Sequence, residues 1–252
     1  MTKLRLLDLF SGIGGFSLGL ERTGGFETVA FCEIEPFPRK VLAKHWPKVP
    51  CYDDVRTLTA ERLRADGIGV DVICGGFPCQ DLSLSGKLAG LRGERSGLWS
   101  EIVRLVYDLR PQFLIVENVA NLLNGPSEQR GEWFGQVLGD LARCGYDAEW
   151  ENIPAAAVGA PHSRERVWIV SYPSQINERP ILEAARISQQ LRGIFRRDWA
   201  DRQNQPEILR VDDGLPSPMD AFGALGNAVV PQIPELIGRA ILASLEPIAE
   251  AA

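Results

Sequence analysis

Four side chains in this sequence have the types and settings for nucleophilic and acid–base chemistry. Cys79 sits in "GGFPCQDLSLSG" (75–86), directly behind a proline and at the end of an apolar run. A free thiol has a pKa of about 8.5, and a helix N-terminus or a loop rich in N–H donors favours the thiolate, which is the nucleophile. Pro78 stiffens the approach to it. Glu117, followed by Asn118, closes a second apolar run in "IVENV". Desolvation among apolar neighbours disfavours the charged carboxylate, so Glu117 is expected to hold its proton and donate it near neutral pH. Arg164 and Arg166 alternate in "SRERVWIV", and residues two apart on an extended segment share a face.

A second group of residues is suited to holding a ligand. "DLFSGIGGFSLGL" (8–20) reads as a strand, a tight glycine turn and the start of a helix. That geometry turns backbone N–H groups and a helix N-terminus toward a ligand at the carboxyl edge of a sheet. The glycine spacing is not GxGxxG, so a dinucleotide fingerprint is a poor match. Glu33, in "FCEIE", closes the next strand, where an acid can accept hydrogen bonds from a ribose. Glu35 reads as a solvated loop acid. Asp53 and Asp54 follow the next short strand and are placed to meet a purine amino group. "GNAVVP" (226–231) is a glycine–asparagine turn leading into a final apolar stretch.

These residues need a scaffold that brings strand ends together. Apolar runs of strand length occupy 4–10, 27–33, 70–76 and 113–119, with further strands expected at 146–153 and 166–172. Helix-like segments lie between them at 15–23, 36–46, 57–65 and 97–109. In the last of these Leu98, Ile102, Leu105, Val106 and Leu109 recur at helical spacing, which marks one buried face. The alternation predicts an α/β fold with a mostly parallel, doubly wound sheet covered on both sides. Cys74, inside the third run, is expected to be a buried packing residue. After Tyr172 the chain turns polar, and then Ile233, Leu236, Ile237, Ala240, Ile241 and Leu245 form a last helical stripe.

The 252 residues are 45% hydrophobic and 24% charged, enough for one sizeable domain with a small appendage. Five cysteines without a CxxC pair, and only two histidines, argue against a disulfide framework or a metal site. The net charge of −6 counts against a uniformly basic nucleic-acid binder. A local basic surface is still available, because residues 176–210 carry seven arginines against five acids. There is no apolar run long enough to span a membrane, and the first residues, "MTKLRLLDLFSG", lack a signal core. The expected location is the cytoplasm, away from membranes.

Taken in order, "DLFSGIGG", "GGFPCQ", "ENV", "RERVW" and "GNAVVP" resemble the motifs of the DNA cytosine-5 methyltransferases, and the match runs along nearly the whole chain. The resemblance implies the S-adenosylmethionine-dependent methyltransferase type of sheet. It implies transfer of a methyl group from S-adenosylmethionine to carbon 5 of a cytosine flipped out of double-stranded DNA. Phe10, Ser11, Gly12 and Gly14 would line the cofactor pocket. Glu33 would hold the ribose, Ile34 pack on the adenine and Asp54 meet its amino group, with Leu98 and Asn227 completing the pocket. Cys79 would attack carbon 6, Glu117 donate a proton at ring nitrogen 3, Arg166 support the ring oxygen and Arg164 orient the set. Residues 82–96, with three glycines and three basic residues, would form a loop closing over DNA. The resemblance divides the chain into a catalytic and cofactor-binding part (1–172), a target-recognition region (173–225) and a C-terminal segment returning to the catalytic part (226–252). Family members usually carry a larger recognition region; here about 50 residues stand in its place. The partners implied are double-stranded DNA, bound by a monomer, and a cognate restriction endonuclease or a specificity partner. Two alternatives remain at this point: the same chemistry on RNA cytosine, and a catalytically weak protein that binds cofactor or nucleic acid.

Overall fold

The computed structural model describes residues 2–77, 97–125, 130–160, 162–174 and 228–245. Its strands are β1 (Leu4–Leu9), β2 (Phe26–Cys32), β3 (Cys51–Tyr52), β4 (Val72–Gly76), β5 (Phe113–Val119), β6 (Tyr146–Pro154) and β7 (Glu165–Pro173). The helices are α1 (Gly15–Arg22), α2 (Pro36–His45), α3 (Ala60–Ala65), α4 (Leu98–Leu109), α5 (Glu132–Arg143) and α6 (Gln232–Leu245). One sheet runs in the order β3-β2-β1-β4-β5-β7-β6. The first five strands are parallel, and β7 lies antiparallel between β5 and β6. The expected α/β, mostly parallel, doubly wound sheet is the observed one. The reversal at β7 adds an antiparallel edge, which strand composition alone does not encode.

The pleat sorts each strand's side chains between two cores. On one face Leu7, Leu9, Ile73, Leu114 and Val116 pack with Ile102, Leu105 and Val106 of α4 and with Val137 and Leu141 of α5. On the other, Leu6, Val72, Phe113 and Ile115 pack with Phe16 and Leu20 of α1 and with Ile233, Leu236, Ile237 and Ile241 of α6. Helix α6 thus returns to the sheet against α1. The approach is close because α1 presents glycine there: a Cβ at Gly15 would lie 2.6 Å from the Val229 carbonyl oxygen, and one at Gly19 would collide with that of Pro231. Helix α5 is not among the sequence expectations. Its stripe of Phe134, Val137 and Leu141 is regular, but glycines at 131, 135 and 139 lower the local helix propensity and mask it.

Strand order reverses at β1, with β2 on one side and β4 on the other. Connections leave β1 and β4 in opposite directions, so a crevice opens outside their carboxyl ends. All the residues singled out as chemically apt and described by the structure map to that edge or the loops beside it. Among the described residues no helix is long and apolar enough to cross a membrane.

Candidate active site

The glycine turn after β1 is a strained backbone held from several sides. Phe10, Gly12 and Gly14 adopt φ of 52°, 51° and 85°, a left-handed conformation that a phenylalanine adopts only under constraint. The Ser11 N–H donates to the Cys32 carbonyl at 3.2 Å, and the Ser11 hydroxyl donates to the Asp8 carbonyl at 2.6 Å. The Gly12 N–H donates to Glu33 Oε2 at 2.7 Å. A Cβ at Gly14 would press on the Trp46 ring, whereas one at Gly12 would meet nothing within 4 Å among the described residues. The turn therefore has a packed side and an open side, and Gly12 faces the open one.

Glu33 borders that opening. It is 7% exposed, and its second oxygen accepts the Glu35 N–H at 2.8 Å. Arg39 on α2 clamps the strand ends behind it, donating to the Glu33 carbonyl at 2.9 Å and the Cys51 carbonyl at 3.2 Å. The next residue, Ile34, is 59% exposed. A buried carboxylate beside a bare apolar side chain and an open glycine suits a ligand with a hydroxylated sugar and a flat ring, such as S-adenosylmethionine. Phe10 and Leu98, the first residue of α4, pack against the same core cluster. Asp54 lies on the loop after β3, and Arg56 takes up its carboxylate at 2.8–3.1 Å, which holds its pKa below the usual carboxylate range. Asn227 lies outside the described residues.

Asp8 supports the turn from below. It is fully buried, and its Oδ2 accepts the Ser17 hydroxyl at 2.7 Å and the Ser17 N–H at 3.3 Å. Gly14 cannot cap α1 with a side chain, so β1 supplies the acceptor instead. Burial pushes the Asp8 carboxyl up to about 7, against the pull of its hydrogen bonds from Ser17 and Cys74. Cys74 is fully buried in β4, as expected.

The second half of the edge is built by β4, β5 and β7. Strand β4 ends at Gly76, and Phe77 is the last described residue before Pro78 and Cys79, which lie outside the described residues. Asn118 is buried, donates its Nδ2–H to the Phe77 carbonyl at 2.8 Å and accepts the Val119 N–H at 2.8 Å. It thereby ties the exit of β4 to β5, a role the sequence reading did not assign to it. Glu117 Oε1 lies 2.9 Å from Arg166 Nε, with only 12% of its side chain exposed. In the β5–β7 register Glu117 faces Trp168 and Arg166 faces Val119. The guanidinium therefore reaches the carboxylate on the diagonal, along one face of the pair. Burial raises the Glu117 pKa, and the charges of Arg166 and then Arg164 pull it back without reversing the shift. Arg164, half-buried, has its own pKa lowered by burial and by Arg166. Arg166 thus touches the carboxyl directly, while Arg164 acts on it through charge. Three residues that hold this edge in place, Asp8, Arg39 and Asn118, had no assigned role in the sequence reading. An acid inside an otherwise apolar run was a usable signal for Asp8.

A family model described as C-5 cytosine-specific DNA methylase matches residues 4–211. The chain belongs to this family. It is 36% identical over 200 residues to the type II methyltransferase M.Sau3AI of Staphylococcus aureus, covering 73% of this chain and 47% of that one. It is 32% identical over 177 residues to the type II methyltransferase M.HhaI of Haemophilus parahaemolyticus, covering 70% of this chain and 51% of that one. The chain spans about half the length of these relatives. Among solved structures, Dnmt2 methyltransferase of S. pombe superposes with a TM-score of 0.58 at 21% identity, over 75% of this chain and 54% of that one. That likeness shows the methyltransferase fold.

Proposed function

We propose that the protein is a DNA cytosine-5 methyltransferase that uses S-adenosylmethionine and acts on a cytosine flipped out of duplex DNA. The observation that carries the reading is Glu117: a buried carboxyl with a raised pKa, paired to Arg166 at 2.9 Å on the strand beside the one that runs into Pro78 and Cys79. S-adenosylmethionine supplies an electrophilic methyl group, and Phe10, Ser11, Gly12, Gly14, Glu33, Ile34, Asp54, Leu98 and Asn227 would hold it. Carbon 5 of cytosine is a poor nucleophile by itself. The Cys79 thiolate adds to carbon 6, and the π pair of the 5,6 double bond shifts through carbons 5 and 4 onto ring nitrogen 3. Glu117 delivers its proton to ring nitrogen 3, so that carbon 5 becomes enamine-like and able to take the methyl. Arg166 supports the charge that develops on the ring, at the carboxyl and at the ring oxygen. Loss of the carbon-5 proton to a base then restores the 5,6 double bond and expels the Cys79 thiolate, and ring nitrogen 3 returns its proton to Glu117. Flipping costs a few kcal/mol, offset by contacts in the pocket.

Residues 173–225 are assigned to target recognition and 226–252 to closing the cofactor side. The protein acts as a monomer on DNA in the cytoplasm, alongside a cognate endonuclease or a specificity partner. Cys79→Ala is expected to abolish methyl transfer and covalent trapping on 5-fluorocytosine duplexes while S-adenosylmethionine binding survives. Full turnover by that variant would overturn the mechanism. Bisulfite sequencing of DNA from expressing cells reports activity and recognised site together, and labelled RNA competing with labelled duplex separates the RNA alternative.

A further inference from the structure

The two glycines that end β4 are adjacent in sequence and surrounded differently. A Cβ on Gly75 would lie 2.7 Å from the Leu9 carbonyl oxygen and 3.2 Å from Leu9 Cβ. Those atoms belong to the backbone of β1 and its first side-chain carbon, which the sheet holds fixed. A Cβ on Gly76 would lie 2.9 Å from Glu117 Oε2, with the next neighbours at 3.7 and 3.9 Å, both also on Glu117. Gly76 faces Glu117 directly in the β4–β5 register. Its φ is not positive, so an alanine meets no left-handed backbone penalty there.

Among the described residues, what glycine at position 76 gains is therefore room for the tip of the Glu117 side chain. We infer that Gly76 is a positioning residue that holds the Glu117 carboxyl over the end of β4, where it meets Arg166 and can reach a base bound at that edge. A methyl group at this position is relieved by swinging the carboxyl away, because that carboxyl is the far end of a flexible side chain. The sheet has no need to yield. The carboxyl is then displaced by several tenths of an ångström from Arg166 and from its productive place. This inference rests on the reading of Glu117 as the proton donor.

The test uses the full chain with duplex DNA and S-adenosylmethionine. Gly76→Ala is expected to fold with an unchanged melting temperature and unchanged S-adenosylmethionine Kd, and to lose about 10- to 100-fold in kcat, as small misplacements of a reacting group do. Its pH–rate profile shifts to higher pH relative to the parent, because the displaced carboxyl feels less of the Arg166 charge that pulls its pKa down. In single-turnover transfer at enzyme excess, Gly76→Ala adds no further loss once Glu117 is alanine, since the carboxyl it displaces is gone. Gly75→Ala serves as the contrast and is expected to lower the melting temperature. The inference is overturned by parental kcat in Gly76→Ala, by a loss of folding in that variant, or by an equal loss in the Glu117→Ala background. Full activity of Glu117→Ala alone would instead overturn the proton-donor reading, whatever Gly76→Ala does.

Discussion

Glu33, buried, and Glu117, largely buried, are carboxyl groups at the same edge of one sheet, and they are held by different chemistry. Glu33 is gripped by two backbone N–H groups, those of Gly12 and Glu35. Neither donor can swing away or give up its proton, so the carboxylate is a fixed acceptor with lone pairs to spare. Glu117 is gripped by a side-chain guanidinium, has a glycine under its tip and has its pKa raised by burial. That is a setting for a proton to move. On the proposed function, the difference fits binding on the β1–β2 side of the crevice and chemistry on the β4–β5–β7 side.

The strongest way to break this division is Glu117→Gln. It is expected to lower kcat by roughly 10²- to 10⁴-fold and to leave the S-adenosylmethionine Kd within about threefold, read by stopped-flow turnover and titration calorimetry. A collapse of cofactor affinity would show that the two sides are one unit. Glu33→Ala should do the opposite, weakening the cofactor about 10- to 100-fold by loss of charge-assisted hydrogen bonds, with kcat at saturating cofactor nearly unchanged. Equal losses in both constants would refute its assignment to binding alone.

Asp8 sharpens the comparison through stability. Its folded-state pKa of about 7 lies above the ordinary value of 3.8. Between those two pH values the folded protein keeps a proton that the unfolded chain releases, so stability falls as pH rises from about 4 to about 7 and then levels. In urea unfolding, Asp8→Asn, which still accepts from Ser17, should flatten that slope and exceed the parent at pH 8 by up to a few kcal/mol. A parallel slope in the two proteins would contradict the assignment. The smallest effect belongs to Arg56→Ala. It frees the Asp54 carboxylate from an exposed pair and should change cofactor affinity by less than roughly fivefold.

Much of this edge was legible in the residues themselves. Strand ends are marked by an apolar run meeting an acid, a proline or a glycine, and Glu33 and Glu117 both stand at such junctions. Helix α5 was not legible, since its glycines weaken the local signal that Phe134, Val137 and Leu141 carry. The roles of Arg39 and Asn118 were not legible either. Each bonds a carbonyl on a different strand, and sequence spacing carries no record of which strands become neighbours.

By itself the sequence determined the α/β alternation and the motif order and nominated the reactive groups of the proposed mechanism, because these depend on residue type and local period. Tertiary structure alone decided that β7 runs antiparallel beside β5, which delivers Arg166 to Glu117. It also decided which of two neighbouring glycines guards the backbone of β1 and which the carboxyl of Glu117. Strand direction and register are set by packing across the whole sheet, where a contact between residues 41 or 49 positions apart is fixed by the strands between them and by no local preference.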